Sequence, residues 1–140
     1  SIHDQGFFLM ATDGSCFDGL SFRSCDAQNP NFYFGIGLKM VGGEAVRTMY
    51  KWHNPSKCLG KSGSDTKLVS CTDASAKYWG LKDGKLSQNG GQLCVVRDLQ
   101  NGAHMAKCPT AFEYMTMTIP QVDSGGSSQA LETTRRSGRY

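Results

Sequence analysis

Long apolar stretches are missing from this chain. The longest uninterrupted one, Phe7 to Ala11, is the size of a single strand, far short of the roughly 20 residues that cross a bilayer, so membrane insertion is not expected. An excess of charge of one sign is missing too: 15 Lys and Arg against 12 Asp and Glu leave a net charge of +3. Nucleic-acid binding, which needs basic residues clustered against phosphates, is not indicated. Amphipathic helical periodicity persists over no long window, which removes the basis for a helical fold. The sequence contains no H-E-x-x-H and no G-x-x-x-x-G-K-[ST]. Gly35-x-Gly37 lacks a third glycine because Met40 stands there, and Gly60-Lys61-Ser62-Gly63-Ser64 is not G-x-S-x-G. His3, His53 and His104 have no convincing catalytic partner in the sequence. The expectation is a protein that is not an enzyme and uses no cofactor and no metal.

The 140 residues set a prior of one domain with one core. Hydrophobic residues make up 39% of the chain, with 17 glycines besides, an ordinary share for a globular fold. Six cysteines, at 16, 25, 58, 71, 94 and 108, are even in number and dense for this length. No C-x-x-C or C-x-C brings two of them to zinc-ligand spacing, so disulfides are favoured over metal ligands or free buried thiols. Disulfides imply an oxidising compartment, hence secretion or an extracellular ectodomain. The lack of a signal peptide fits a mature chain or fragment beginning at Ser1. Asn54 is followed by Pro55, so no N-glycosylation is expected.

Reading outward from the cysteines, one order of parts recurs three times: apolar strand, cysteine, turn, strand running into a second cysteine, aromatic cluster. The first copy runs Phe7-Phe8-Leu9-Met10, Cys16-Phe17-Asp18, Leu20 to Cys25, and Phe32-Tyr33-Phe34. The second runs Met49-Tyr50-Lys51-Trp52, Cys58-Leu59-Gly60, Lys67 to Cys71, and Tyr78-Trp79-Gly80-Leu81. The third runs Lys85-Leu86-Ser87, Cys94-Val95-Val96, His104 to Cys108, and Phe112 to Met115. Six cysteines permit 15 pairings; the repeat selects Cys16–Cys25, Cys58–Cys71 and Cys94–Cys108. Alternating segments such as Leu20-Ser21-Phe22-Arg23 and Tyr114 to Ile119, broken by Gly42-Gly43, Asp83-Gly84 and Gly90-Gly91, read as short strands joined by hairpin turns. The expected class is all-β. A propeller closes with four to eight blades, so three copies fit a β-trefoil of three disulfide-stapled repeats better. That domain is expected over residues 1–120, with 121–140, Gly-, Ser- and Arg-rich and nearly free of apolar residues, as a disordered tail or linker.

The second copy carries a family likeness in Lys57-Cys58-Leu59-Gly60, Lys67-Leu68-Val69-Ser70-Cys71, Ala76-Lys77-Tyr78-Trp79-Gly80-Leu81 and Asp83-Gly84-Lys85-Leu86. This series resembles the ricin B-type (R-type) β-trefoil lectins. The opening Gln5 to Met10 followed by Ser15-Cys16 is similar to the start of the cysteine-rich domain of the mannose receptor family. Lys77 stands where the family's Gln-x-Trp motif has glutamine. The resemblance implies a carbohydrate-binding module whose aspartate lies just after the first cysteine of each copy. Carried over, that position is Asp18 in the first copy, Gly60 in the second and Val96 in the third. A sugar needs a carboxylate or amide for its hydroxyls and an aromatic face for its ring. The candidate site residues are therefore Asp18 and Tyr33, with Asp98, Asn101 and His104 as a displaced third-copy site. Lys51, Lys57, Lys61 and Lys67 surround the second copy and suit sulfated or acidic glycans, or are merely solvated. Asp18 before Gly19 also reads as a turn former, and Trp79 as core. The expected partner is a glycan or glycoprotein. The alternative is a degenerate trefoil that serves as a protein-protein interaction module, an effector, adhesin or inhibitor, with a protein receptor as partner.

Overall fold

The computed structural model describes residues 6–11, 13–82, 85–97, 100 and 102–108, together with the strand backbone at 117–118, 120–122 and 128–130. The chain is all-β in these parts, with two single-turn 3-10 segments at Pro30–Phe32 and Ala74–Ala76. Among the described residues no helix is long and apolar enough to cross a membrane.

Three short hairpins share one plan. β2 (Ser15–Phe17) pairs with β3 (Phe22–Ser24), β6 (Asn54–Ser62) with β7 (Asp65–Ser70), and β10 (Leu93–Arg97) with β11 (Ala103–Lys107). In each, the first cysteine lies on the entering strand and the second directly follows the leaving strand. Cys16–Cys25, Cys58–Cys71 and Cys94–Cys108 close them as disulfides, with Cα atoms 5.0, 4.9 and 5.1 Å apart. The expected pairing and the all-β class are what the structure contains. Three disulfides belong to an oxidising environment.

Between these hairpins run longer ribbons. β4 (Phe34–Val41) pairs along its whole length with β5 (Glu44–Lys51) through the turn Gly42-Gly43, where both residues have positive φ, 59° and 82°. A two-residue turn of that hand matches the strand twist, and glycine enters it without steric cost. β8 (Trp79–Lys82) pairs with β9 (Lys85–Gln88); the expected Asp83-Gly84 turn between them lies outside the described residues. β1 (Met10–Ala11) pairs with β12 (Met117–Thr118) as well as with β2. Phe7 bridges Phe34, Ser21 bridges Gly102, and His104 on β11 opposes Asp65 on β7. The four-stranded and eight-stranded sheets are thereby tied together, giving a barrel-like arrangement in which the three clipped hairpins adjoin.

The largest buried cluster gathers Leu9 and Phe17, then Phe34, Met49 and Leu59, then Trp79, Leu86 and Val95, with smaller ones around Phe8 and Phe32 and around the Cys58–Cys71 bridge. Trp79 is core, as expected, and its indole N–H donates to the Ser75 carbonyl at 3.1 Å. Of the C-terminal segment, β13 (Pro120–Val122) pairs with β14 (Ser128–Ala130). The remainder of the stretch expected to be a tail lies outside the described residues.

The Cys58→Ala/Cys71→Ala double variant is expected to lose roughly 3 kcal/mol of unfolding free energy, from reopening a loop of this size. Urea denaturation of both proteins under non-reducing conditions measures it. A loss below about 0.5 kcal/mol would mean that the hydrogen bonds of the hairpin hold it without the bridge.

Candidate functional site

Asp18 occupies the β2–β3 turn. Its Oδ1 accepts the backbone N–H groups of Leu20 at 2.9 Å and Ser21 at 2.8 Å, while its own N–H donates to the Ser21 carbonyl at 3.1 Å. These bonds satisfy donors that a tight turn would otherwise strand. Oδ2 is less committed. The Ser21 hydroxyl and the Arg23 guanidinium each approach it only to 3.5 Å, and Arg23 is exposed. Asp18 is thus a turn former, with 9% of its surface accessible and one oxygen held loosely.

Beneath the turn lies a side chain that sequence reasoning placed wrongly. Lys51 was grouped with the surface lysines of the second copy, but it is only 6% exposed. Its ammonium donates to the Asp18 carbonyl at 2.9 Å and to the Asn31 carbonyl, and it sits 4.5 Å from the centroid of the Phe34 ring. Two carbonyl dipoles and a ring face replace water around the charge. Burial still lowers its pKa from 10.5 to about 8, and the negative charge of Asp18 acts in the opposite direction. Lys57 and Lys67 are exposed, and Lys61 is half-buried.

Tyr33 stands two residues beyond Asn31. Its hydroxyl donates to the Ala27 carbonyl at 2.8 Å. Its ring meets Phe8 edge-on, with centroids 4.6 Å apart, and His53 at 5.4 Å and 90°. The backbone N–H of Trp52 donates to the Tyr33 carbonyl at 2.9 Å. The end of β5 therefore fastens the turn of Asp18 and the loop of Tyr33 together through Lys51. His104 lies on β11 opposite Val96 and Asp65, half-buried, two residues beyond the Gly102–Ser21 bridge. Asp98 and Asn101 lie outside the described residues.

The two positions that match Asp18 are closed. A Cβ on Gly60 would lie 2.5 Å from the Ser75 Oγ and 2.5 Å from a Val69 methyl. Ser75 cannot easily yield, because its hydroxyl accepts the Lys61 N–H at 3.1 Å and donates to Asp73 at 2.8 Å. Val96 is core. Where the resemblance has the glutamine of Gln-x-Trp and this chain has Lys77, an amide arrives from β9 instead: Gln88 Nε2 donates to the carbonyls of Ser75 and Lys77, each at 2.9 Å. No signal local to Trp79 announces that partner, which depends on the Trp79–Gln88 register.

No family model matches this chain, and no curated protein or solved structure matches it.

Two outcomes follow from the geometry. Asp18→Ala should cost about 1–2 kcal/mol of stability, because two turn N–H groups lose their acceptor; a neutral effect in urea denaturation would mean that water serves the turn equally well. For Lys51 the folded pKa lies below the unfolded one. Between pH 8 and 10.5 the unfolded chain holds a proton that the folded chain has released, so unfolding free energy from this group rises with pH across that window. Subtracting the pH profile of Lys51→Met from that of the parent should isolate this rise, and a flat difference would place the ammonium in water.

Proposed function

We propose that residues 1–120 are a β-trefoil recognition module of the ricin B-type, secreted or displayed outside the cell, that binds carbohydrate and performs no catalysis. The supporting observation is the threefold recurrence of a clipped hairpin, at β2–β3, β6–β7 and β10–β11, with a disulfide at the same place in each. In a trefoil these hairpins cap a barrel made from β1, β4, β5, β8, β9 and β12. The β1–β12, β4–β5 and β8–β9 ladders, the Phe7–Phe34 bridge and the packing of β5 on β8 support that order.

The ligand would approach the first-copy turn. The loosely held Oδ2 of Asp18, the exposed Arg23 and the half-buried ring of Tyr33 offer acceptor, donor and apolar face. Asp98, Asn101 and His104 of the third copy remain part of this proposal. A second reading, a trefoil that grips a protein, is favoured by the closure of the Gly60 and Val96 positions and by Leu38 and Met40 on β4, which are 72% and 61% exposed.

A glycan array at two salt concentrations should give hits with the parent that Asp18→Asn loses. Asn keeps an acceptor for the turn while removing the charge, so its loss is not a folding defect. An array without hits, together with a protein partner retained in the presence of excess free sugar, would replace the first reading by the second.

A further inference from the structure

The polar tips of the large aromatic side chains fall into two groups. The Tyr33 hydroxyl donates to the Ala27 carbonyl, the Tyr78 hydroxyl to the Glu44 carboxylate at 2.8 Å, and the Trp79 indole N–H to the Ser75 carbonyl. The Tyr50 hydroxyl and the Trp52 indole N–H make no hydrogen bond among the described residues. Gln88 Oε1 is the one buried side-chain polar atom there without a partner, so the tips of Tyr50 and Trp52 reach water. Both rings are half-buried and lie together, with centroids 6.2 Å apart and planes 22° from parallel.

Glycines set this arrangement. A Cβ on Gly35, which faces Tyr50 across the β4–β5 ladder, would lie 2.4 Å from Tyr50 Cζ, and one on Gly37 would touch the same ring at 3.6 Å. A Cβ on Gly6 would lie 2.7 Å from Trp52 Cγ. The rings therefore rest on bare backbone. Lys39 follows Gly35 and Gly37 on the same face of β4, since side chains alternate along a strand. Its Nζ is 4.5 Å from the Tyr50 centroid, and it forms no ion pair among the described residues. The patch thus combines two ring surfaces with an ammonium, an indole N–H and a phenol, and none of these groups is bonded to a carboxylate among the described residues.

We propose that Tyr50, Trp52 and Lys39 form a shelf for an acidic saccharide, whose pyranose ring packs on the outer surface of the Trp52 ring and whose carboxylate or sulfate binds the Lys39 ammonium held over Tyr50. A flat, acceptor-rich, anionic ligand complements a flat surface that offers donors and positive charge. The proposal rests on the carbohydrate reading for its ligand class, but puts the ligand at a place separate from Asp18, and the carry-over from the lectin pattern does not reach it.

The chain's two tryptophans make the test direct. Trp79 is 1% exposed, so ligand-dependent quenching of tryptophan fluorescence reports Trp52. The intact, oxidised protein is titrated with a hyaluronan tetrasaccharide for the uronate, a chondroitin sulfate tetrasaccharide for the sulfate, and a neutral chitin tetrasaccharide. Saturable quenching by the acidic probes is expected, weakened on the order of tenfold by Lys39→Gln and by raised salt. Trp52→Phe, read by calorimetry, should weaken binding several-fold; where that variant fails to fold, Lys39→Gln decides alone. Whether one or both acidic probes bind identifies the anion. Equal affinity in the parent and both variants overturns the shelf, and loss of binding in Asp18→Asn alone then moves the saccharide to the first turn. Absence of quenching overturns the shelf while array hits preserve the carbohydrate reading; absence of both overturns the two together.

Discussion

Every part of this structure hangs on covalent closure at the base of short hairpins. β2 and β3 are three residues each, and a two-stranded ribbon of that length is at best marginal in water. Its ladder hydrogen bonds exchange with water at little net gain. The sulfur bridge changes the comparison by acting on the unfolded chain, which it denies most of its loop conformations. Cys16 and Cys58 are fully buried and Cys94 nearly so, so each bridge also adds apolar volume under its hairpin. With the three bases pinned, Phe17, Leu59 and Val95, each next to a bridged cysteine in the chain, are delivered to the shared core.

Lys51 is the tension within that economy. A core of this size has little room for an ammonium, and burial of one is costly unless dipoles take over from water. Here the carbonyls of Asp18 and Asn31 do so, and both belong to segments with few ladder bonds of their own. The charge thus converts an expensive burial into a fastening between the first turn and the loop that carries Tyr33. The Asp18 carboxylate turns Oδ1 to its own turn N–H groups and offers Lys51 only its field. The residue carried over from the lectin pattern therefore has a structural duty at its backbone and at one oxygen, which leaves only Oδ2 for a ligand.

What the sequence made legible was local. Cysteines 9, 13 and 14 residues apart close hairpins, a Gly-Gly pair between alternating strands makes a turn, and Asp-Gly after Cys16 makes another. Each is decided by residues near one another in the chain. Lys51 was not legible, because its acceptors lie 33 and 20 residues away, and the strand around it mixes polar and apolar residues on both faces. Gln88 was hidden for the same reason: its role appears only once β8 and β9 are in register. The closed Gly60 position belongs here too, since glycine after Cys58-Leu59 states that a side chain is missing but not that Ser75 and Val69 fill the space.

The same glycine logic separates a missing side chain that closes a site from one that opens it. At Gly60 the vacated volume is taken by neighbours whose polar groups are already bonded, so nothing is left to offer a ligand. At Gly35, Gly37 and Gly6 the volume is taken by rings that lie on the backbone, and their hydroxyl and indole N–H remain unspent among the described residues. Laying a ring flat over glycine stabilises it by dispersion on one face and leaves its outer features to the solvent. Lys39 completes the asymmetry. It is held over a ring and forms no ion pair with a carboxylate among the described residues. On the carbohydrate reading proposed above, recognition follows the donors left unspent among the described residues rather than the carboxylates of the lectin pattern.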